Sequence, residues 1–365
     1  MSERNIILNP KQKLHNQSVL VDYNKHNTKK LLVIVILVAV TILFSLFAVT
    51  IGPSDMTMQD SYQVIAHKVL PNLVDAPKES IERTVWFVRV PRLLTGLLVG
   101  FSLAVAGSVM QPVLRNPMAS PFTLGISSGA GFGAALAIIF GKSIGSGSYY
   151  VVANAFLFSL LTSFIILLLS KKKGTTPEIM ILIGIALSHL FTAGTTVMQY
   201  FAESWATSEV VFWMVGSLSK GTWGTLKYIF PVVLVCVPFL IIKSWDLNSI
   251  GAGDDAAKSL GVDVERTRII LMIVAALITS TTICFTGTIG FVGLLAPHIT
   301  RMIIGGDNRF IVPVSGIVGA LLLSVSDTLA MNIISPVVIP IGVMTSFMGV
   351  PLFIYLIIKM RRNFN

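Results

Sequence analysis

Few side chains in this 365-residue chain are placed to do chemistry. His189, His298 and Asp327 each sit inside a long apolar stretch, where an ionisable group is costly and marks a functional site by default. Reaction chemistry at that depth needs partnered sets: Ser with His or Lys, two Asp, or His with Glu around a metal. None of the three has such a partner three or four residues away, so no catalytic residue and no metal site is expected. His298 suits helix capping or an interhelical hydrogen bond better than ligation. Asp327 reads equally as a structural or a functional acid. Proton coupling through Asp327 and His189 would make the chain a secondary carrier, the rival reading from another class.

Two short strings imitate nucleotide sites. Gly141, Lys142 and Ser143 look like the end of a phosphate-binding loop, but Leu136 stands where that loop requires glycine, and no strand precedes it. Gly129, Gly131 and Ala134 imitate a dinucleotide fingerprint inside an apolar run, again without a strand before it. Neither is a site, so any ATP must be handled by another subunit. Cys236 and Cys284 lie in apolar runs, where thiols pack as small hydrophobes.

The elements that hold these residues are membrane spans. Apolar residues make up 54% and charged residues 12%, about half the charge that a soluble domain carries. A helix needs ~20 apolar residues to cross a bilayer. About ten runs of that order are visible, over 31–51, 92–111, 122–140, 149–169, 179–201, 227–242, 268–287, 288–304, 310–331 and 338–358. No polar loop separates the seventh from the eighth. With both termini cytoplasmic, only Lys68, Lys78, Arg83, Arg89, Arg92, Lys142, Lys220 and Lys227 of the 27 basic residues fall outside. The rest lie within, as the positive-inside rule demands. That asymmetry accounts for the net charge of +10 without nucleic acid; the partner that composition implies is membrane lipid. Small residues at helical spacing, Gly96 with Gly100 and Gly125 with Gly129 and Gly133, are expected to serve close helix packing.

Residues 1–30 are polar and aperiodic and read as a flexible cytoplasmic tail; residues 31–360 form the transmembrane domain. Residues 53–90 are too polar for lipid and form an extracytoplasmic segment of short surface helices. The other polar stretch, 245–267, faces the cytoplasm. Within it, Asp254 can cap or charge a helix start and Gly261 can supply a left-handed stop. Ala256, Ala257 and Leu260 would then form a small apolar knob fitting a groove on a cytoplasmic partner. An ordinary loop helix lying on the membrane surface fits the same residues equally well.

Six strings in order carry a family resemblance: Arg89-Val-Pro-Arg92; Gly107-Ser-Val-Met-Gln111 followed by Asn116-Pro-Met-Ala-Ser-Pro121; Leu124-Gly-Ile-Ser-Ser-Gly-Ala130; Gly253 to Gly261; Gly290-Phe-Val-Gly-Leu-Leu-Ala-Pro-His-Ile299; and Pro340-Ile-Gly-Val-Met-Thr345 with Gly349-Val-Pro-Leu-Phe353. The chain resembles the FecCD-type permeases of type II ABC importers, which carry iron-siderophores, haem and cobalamin across bacterial inner (cytoplasmic) membranes. The resemblance implies an all-α polytopic membrane protein with the type II importer permease fold and about ten spans. It implies a dimer with a second, identical or paralogous, permease; cytoplasmic ATPase subunits that bind ATP and magnesium; and an extracytoplasmic binding protein or lipoprotein. Ferric siderophores are the expected cargo, haem or cobalamin the alternatives.

Site residues follow by the same resemblance. Gly253, Asp254, Asp255, Ala256, Ala257, Leu260 and Gly261 match the family's coupling helix, through which ATP-driven closure of the ATPases tilts the spans. Arg89 and Arg92 match positions that receive acidic residues of the binding protein. Asn116 and Met118, with Thr175 and Thr176, match the cytoplasmic gate. Where many members carry Arg after the acid of the ninth span and Glu before the final Pro-Ile-Gly, this chain has Met331 and Val338.

Overall fold

The structure, a computed structural model, describes residues 10–52, 56–144, 148–171 and 175–362. Among the described residues the regular elements are all helical: α1 (Pro10–Thr50), α2 (Met58–Val69), α3 (Glu79–Thr84), a π-helical turn (Val85–Arg89), α4 (Val90–Val113), α5 (Ile126–Ile144), α6 (Ser148–Lys171), α7 (Pro177–Phe201), α8 (Ser204–Met214), α9 (Trp223–Ile242), α10 (Ser244–Gly251), α11 (Asp254–Ser259), α12 (Val264–Thr286), α13 (Val292–Ile304), α14 (Asn308–Asn332) and α15 (Ile341–Arg362). Seven helices are long and apolar enough to cross a bilayer, and Ile126–Gly141, Val292–Ile304 and Ile341–Leu356 are shorter apolar helices. Together they occupy the ten runs read from the sequence.

Several helix starts follow from local chemistry. Thr57 and Asp60 form a reciprocal capping box at α2. Thr222, Asp263 and Asp307 each accept a backbone N–H at the starts of α9, α12 and α14. Two features depart from expectation. α1 extends its helix back to Pro10, ahead of the apolar span that begins at Thr28; residues 1–9 lie outside the described residues. α8, Ser204–Met214, is an additional helix between the fifth and sixth runs. The junction of the seventh and eighth spans is a five-residue break, 287–291, entered through Gly287 at φ +72° and left through Phe291 at φ +64°. With 13 residues, α13 rises only about 20 Å and reaches only part of the way across the membrane.

α4 is the central helix, packed on α12, α13 and α14. A methyl on Gly100 would lie 2.3 Å from the Gly319 carbonyl oxygen, and one on Gly107 1.8 Å from that of Gly293. The expected small-residue rows do pack helices: Gly129 and Gly133 on α5 meet Thr162 and Asn154 on α6. Gly96, by contrast, faces only the end of the Leu218 side chain.

Candidate coupling and docking sites

Three loops on the side assigned to the cytoplasm meet at one arginine. Arg268 stands in the second turn of α12 with its side chain 2% exposed. Its Nε donates to the Val113 carbonyl at the end of α4 (3.2 Å), and Nη1 to the Thr175 carbonyl before α7 (2.8 Å). Nη2 donates to the Asp254 carboxylate on α11 (2.8 Å). Arg115, just past α4 with φ +43°, reaches the same Asp254 oxygen. Arginine suits this position because its donors spread in a rigid plane and stay charged when buried. Burial alone would raise the Asp254 pKa, but the bonds and charges of Arg268 and Arg115 outweigh it and hold the carboxyl below its usual range.

α11 itself is short, bounded by Gly253 at φ +125° and Gly261 at φ +81°. Gly253, not Asp254, occupies the N-cap; Asp254 begins the helix and turns its carboxylate to the two arginines. Asp255 and Ala256 face solvent, and Leu260 is 72% exposed. Ala257 does the opposite: it is fully buried against Ile250 and Val264. The expected three-residue knob is therefore two residues, Ala256 and Leu260, on a helix rooted by Ala257.

A second cytoplasmic junction braces α10. Asn248 donates to Asp307 (3.0 Å) and accepts the Asn308 N–H (2.8 Å), while Arg309 grips Asp307 and stacks over Trp245, 4.1 Å from the ring centre. Against the opposing effect of burial, Arg309 and Asn248 bring the Asp307 pKa down to about 2.

The expected gate residues divide into two kinds. Asn116 accepts the Met118 N–H (2.8 Å) in a tight side-chain turn, leaving Met118 45% exposed. Thr175 is buried, sits at φ +50° and donates to Glu265 (3.0 Å), so its side chain fastens the loop to α12. Thr176 takes the N-cap position of α7 without a side-chain bond. Above this layer, Arg301 on α13 bonds Gln111 on α4 (2.5 Å).

On the outer side both expected docking arginines turn inward. Arg92 makes a two-pronged bond to Asp327 on α14, at 2.9 and 2.8 Å, with the side chains 12% and 8% exposed. Arg89 donates to the carbonyls of Val49 (3.2 Å) and Thr50 (2.9 Å), closing the end of α1. A cavity of about 230 Å³ lies between them, with Met331 and Val338 in its wall. Asp327 thus has a partner far along the chain where none was visible nearby. His298 sits away from it: its ring meets Phe353 edge-on, and its Nε2 is buried without a hydrogen-bond partner among the described residues. His189 lies on an exposed face of α7.

An open groove of about 770 Å³ runs along α13 and α15, lined by Phe122, Met214, Phe291, Leu294, Phe347 and small or hydroxyl side chains, with no charged residue among them. Arg268 and Arg115 were counted in the sequence only as cytoplasmic charges. The available signal was an arginine inside the first turns of an otherwise apolar span.

The profile of the FecCD transport family matches residues 32–359. An ABC transporter permease protein of Methanocaldococcus jannaschii is 44% identical over 350 residues, covering 93% of this chain and 98% of that protein. The permease of the Fe(3+)-citrate import system of Bacillus subtilis is 34% identical over 340 residues, covering 91% and 98%. Among solved structures, an inward-facing metal-chelate type ABC transporter superposes with a TM-score of 0.77 at 30% identity, covering 88% of this chain and 97% of that one.

Proposed function

The chain belongs to the FecCD transport family and is a permease subunit of a type II ABC importer, with ATP hydrolysis left to a separate subunit; from that premise we propose that its cargo is a ferric siderophore. The Bacillus relative that imports ferric citrate and the metal-chelate transporter support an iron chelate as the cargo class. An uncharged groove supports a bulky, shielded chelate over a bare ion, which would need fixed counter-charges at membrane depth.

The observation that carries the coupling assignment is the exposed Leu260 on a helix rooted through Asp254 in two arginines. In this reading α11 seats in a groove of the ATPase, a second permease completes the pathway, and an extracytoplasmic binding protein delivers the chelate. ATP acts by binding one transporter conformation better than the other, with magnesium, on the partner. The rival proton-driven carrier loses support because Asp327, its acid, is already committed to Arg92.

The test is reconstitution in liposomes with and without the ATPase, using a ferric hydroxamate, ferric citrate, haemin and cobalamin. ATP-dependent entry of the ferric chelates, with none by the permease alone, is the expected result. Entry driven by an imposed proton gradient in the absence of ATPase would overturn it, and entry of haemin or cobalamin alone would replace the cargo.

A further inference from the structure

We propose that Asp254 and Arg268 form a branched mechanical link that delivers one movement of α11 to two separate cytoplasmic loops, with Arg268 as the positioning residue for the branch to α7. The proposal rests on α11 being the element that meets the ATPase.

The geometry is specific. A single carboxylate oxygen, Asp254 Oδ1, is bound by Arg115 and by Arg268. Arg115 follows α4 directly and opens the turn that Asn116 closes onto Met118. Arg268 passes the contact on to the Thr175 carbonyl, two residues before α7, and to the Val113 carbonyl. Thr175 is held a second time, by Glu265 from the same helix that bears Arg268. The Met118 turn and the Thr175 loop are each reached from the same acid through a single arginine.

Arg268 is the shielded part of this link, while Asp254 and Arg115 keep about a third of their side chains exposed. Arg268 is 2% exposed, and three of its nitrogens are used by three different segments. Charge-assisted hydrogen bonds in such a site are stronger and more directional than exposed ones. α11 has only six residues and little backbone structure of its own to transmit force. Its buried anchor Ala257 packs on α10 and α12, which themselves pack on α4, and the polar branch adds a direct hydrogen-bonded contact to the end of α4 and to the loop before α7.

The link is tested in the assembled transporter, permease with ATPase, in nanodiscs. Spin labels are placed at Ser259→Cys with Glu178→Cys, reporting α11 against α7, and at Ser259→Cys with Met118→Cys, reporting α11 against the turn after α4. All three positions are exposed, whereas the native Cys236 and Cys284 are buried. In the otherwise unaltered protein both distances are expected to stay the same with and without ATP, because the parts move together. With Arg268→Gln the Ser259–Glu178 distance becomes ATP-dependent while Ser259–Met118 does not, since Arg115 still holds Asp254. A purely structural role would instead broaden the distances without regard to ATP.

Unaltered distances in Arg268→Gln, or broadening independent of nucleotide, would overturn the link. Should that variant fail to assemble, Asp254→Asn serves instead: both distances should then depend on ATP, and two unchanged distances would refute it. Retention of the ATPase by Leu260→Asp would show that the ATPase seats elsewhere, a result separate from either distance.

Discussion

Arg92 on α4 and Asp327 on α14, 235 residues apart, hold each other through two parallel hydrogen bonds near the outer surface. The pair explains why an acid survives in an apolar span: the guanidinium neutralises it and matches both of its oxygens. It also joins α4 and α14, which pack along each other, near their outer ends.

Breaking this pair from one side leaves a buried charge without a partner, which costs roughly 3–5 kcal/mol. Arg92→Met or Asp327→Leu alone should therefore lower thermal stability in detergent by many degrees, while the double replacement recovers most of the loss. Equal losses from single and double variants would show that each residue matters for some other contact.

Leu260→Asp should abolish ATP-dependent uptake and release the ATPase during purification while leaving the permease folded. The side chain is 72% exposed, so its replacement is expected to change stability by no more than about 0.5 kcal/mol. Co-purification on the permease tag measures the first effect and thermal unfolding the second. Normal uptake by this variant would remove α11 from the coupling assignment.

Asp307 gives the fold an acid-sensitive brace. Its pKa of about 2 is depressed from an ordinary 3.8, so its stabilising effect is full above the ordinary value and fades as pH falls from about 4 toward 2. Asp307→Asn should lower the melting temperature by a few degrees at pH 6, and the gap to the unaltered protein should close as pH approaches 2. A gap that is constant with pH would mean that the charge of Asp307 contributes nothing.

Spans, topology and the cytoplasmic helix were legible because hydropathy and charge act locally along the chain. The bounds of α11 were legible for the same reason, since Gly253 and Gly261 declare their backbone needs in place. What stayed hidden depends on distance in sequence. Arg92 looked available to a binding protein until folding brought Asp327 beside it. Arg268 looked like one more cytoplasmic charge until three loops closed around it. Thr175 looked like a mobile gate side chain, though its neighbours Glu265 and Arg268 pin it. The α1 extension escaped notice because polar residues without a regular apolar repeat give no helical period to read.

The glycine contacts of α4 permit a contrast within one protein. A methyl at Gly107 would stand 1.8 Å from the Gly293 carbonyl oxygen, and backbone cannot swing aside as a side chain can. Gly107→Ala should force α4 and α13 apart, at a cost above the ~1–3 kcal/mol usual for overpacking, and disturb the nearby bond between Gln111 and Arg301. Gly131→Ala, whose nearest neighbour would be 3.8 Å away on the flexible Met214 side chain, should be tolerated and slightly favour its helix by removing glycine's entropy cost. Yield of monodisperse protein and melting temperature measure both. Comparable behaviour of the two variants would show that α4 and α13 are less closely apposed than their backbones indicate.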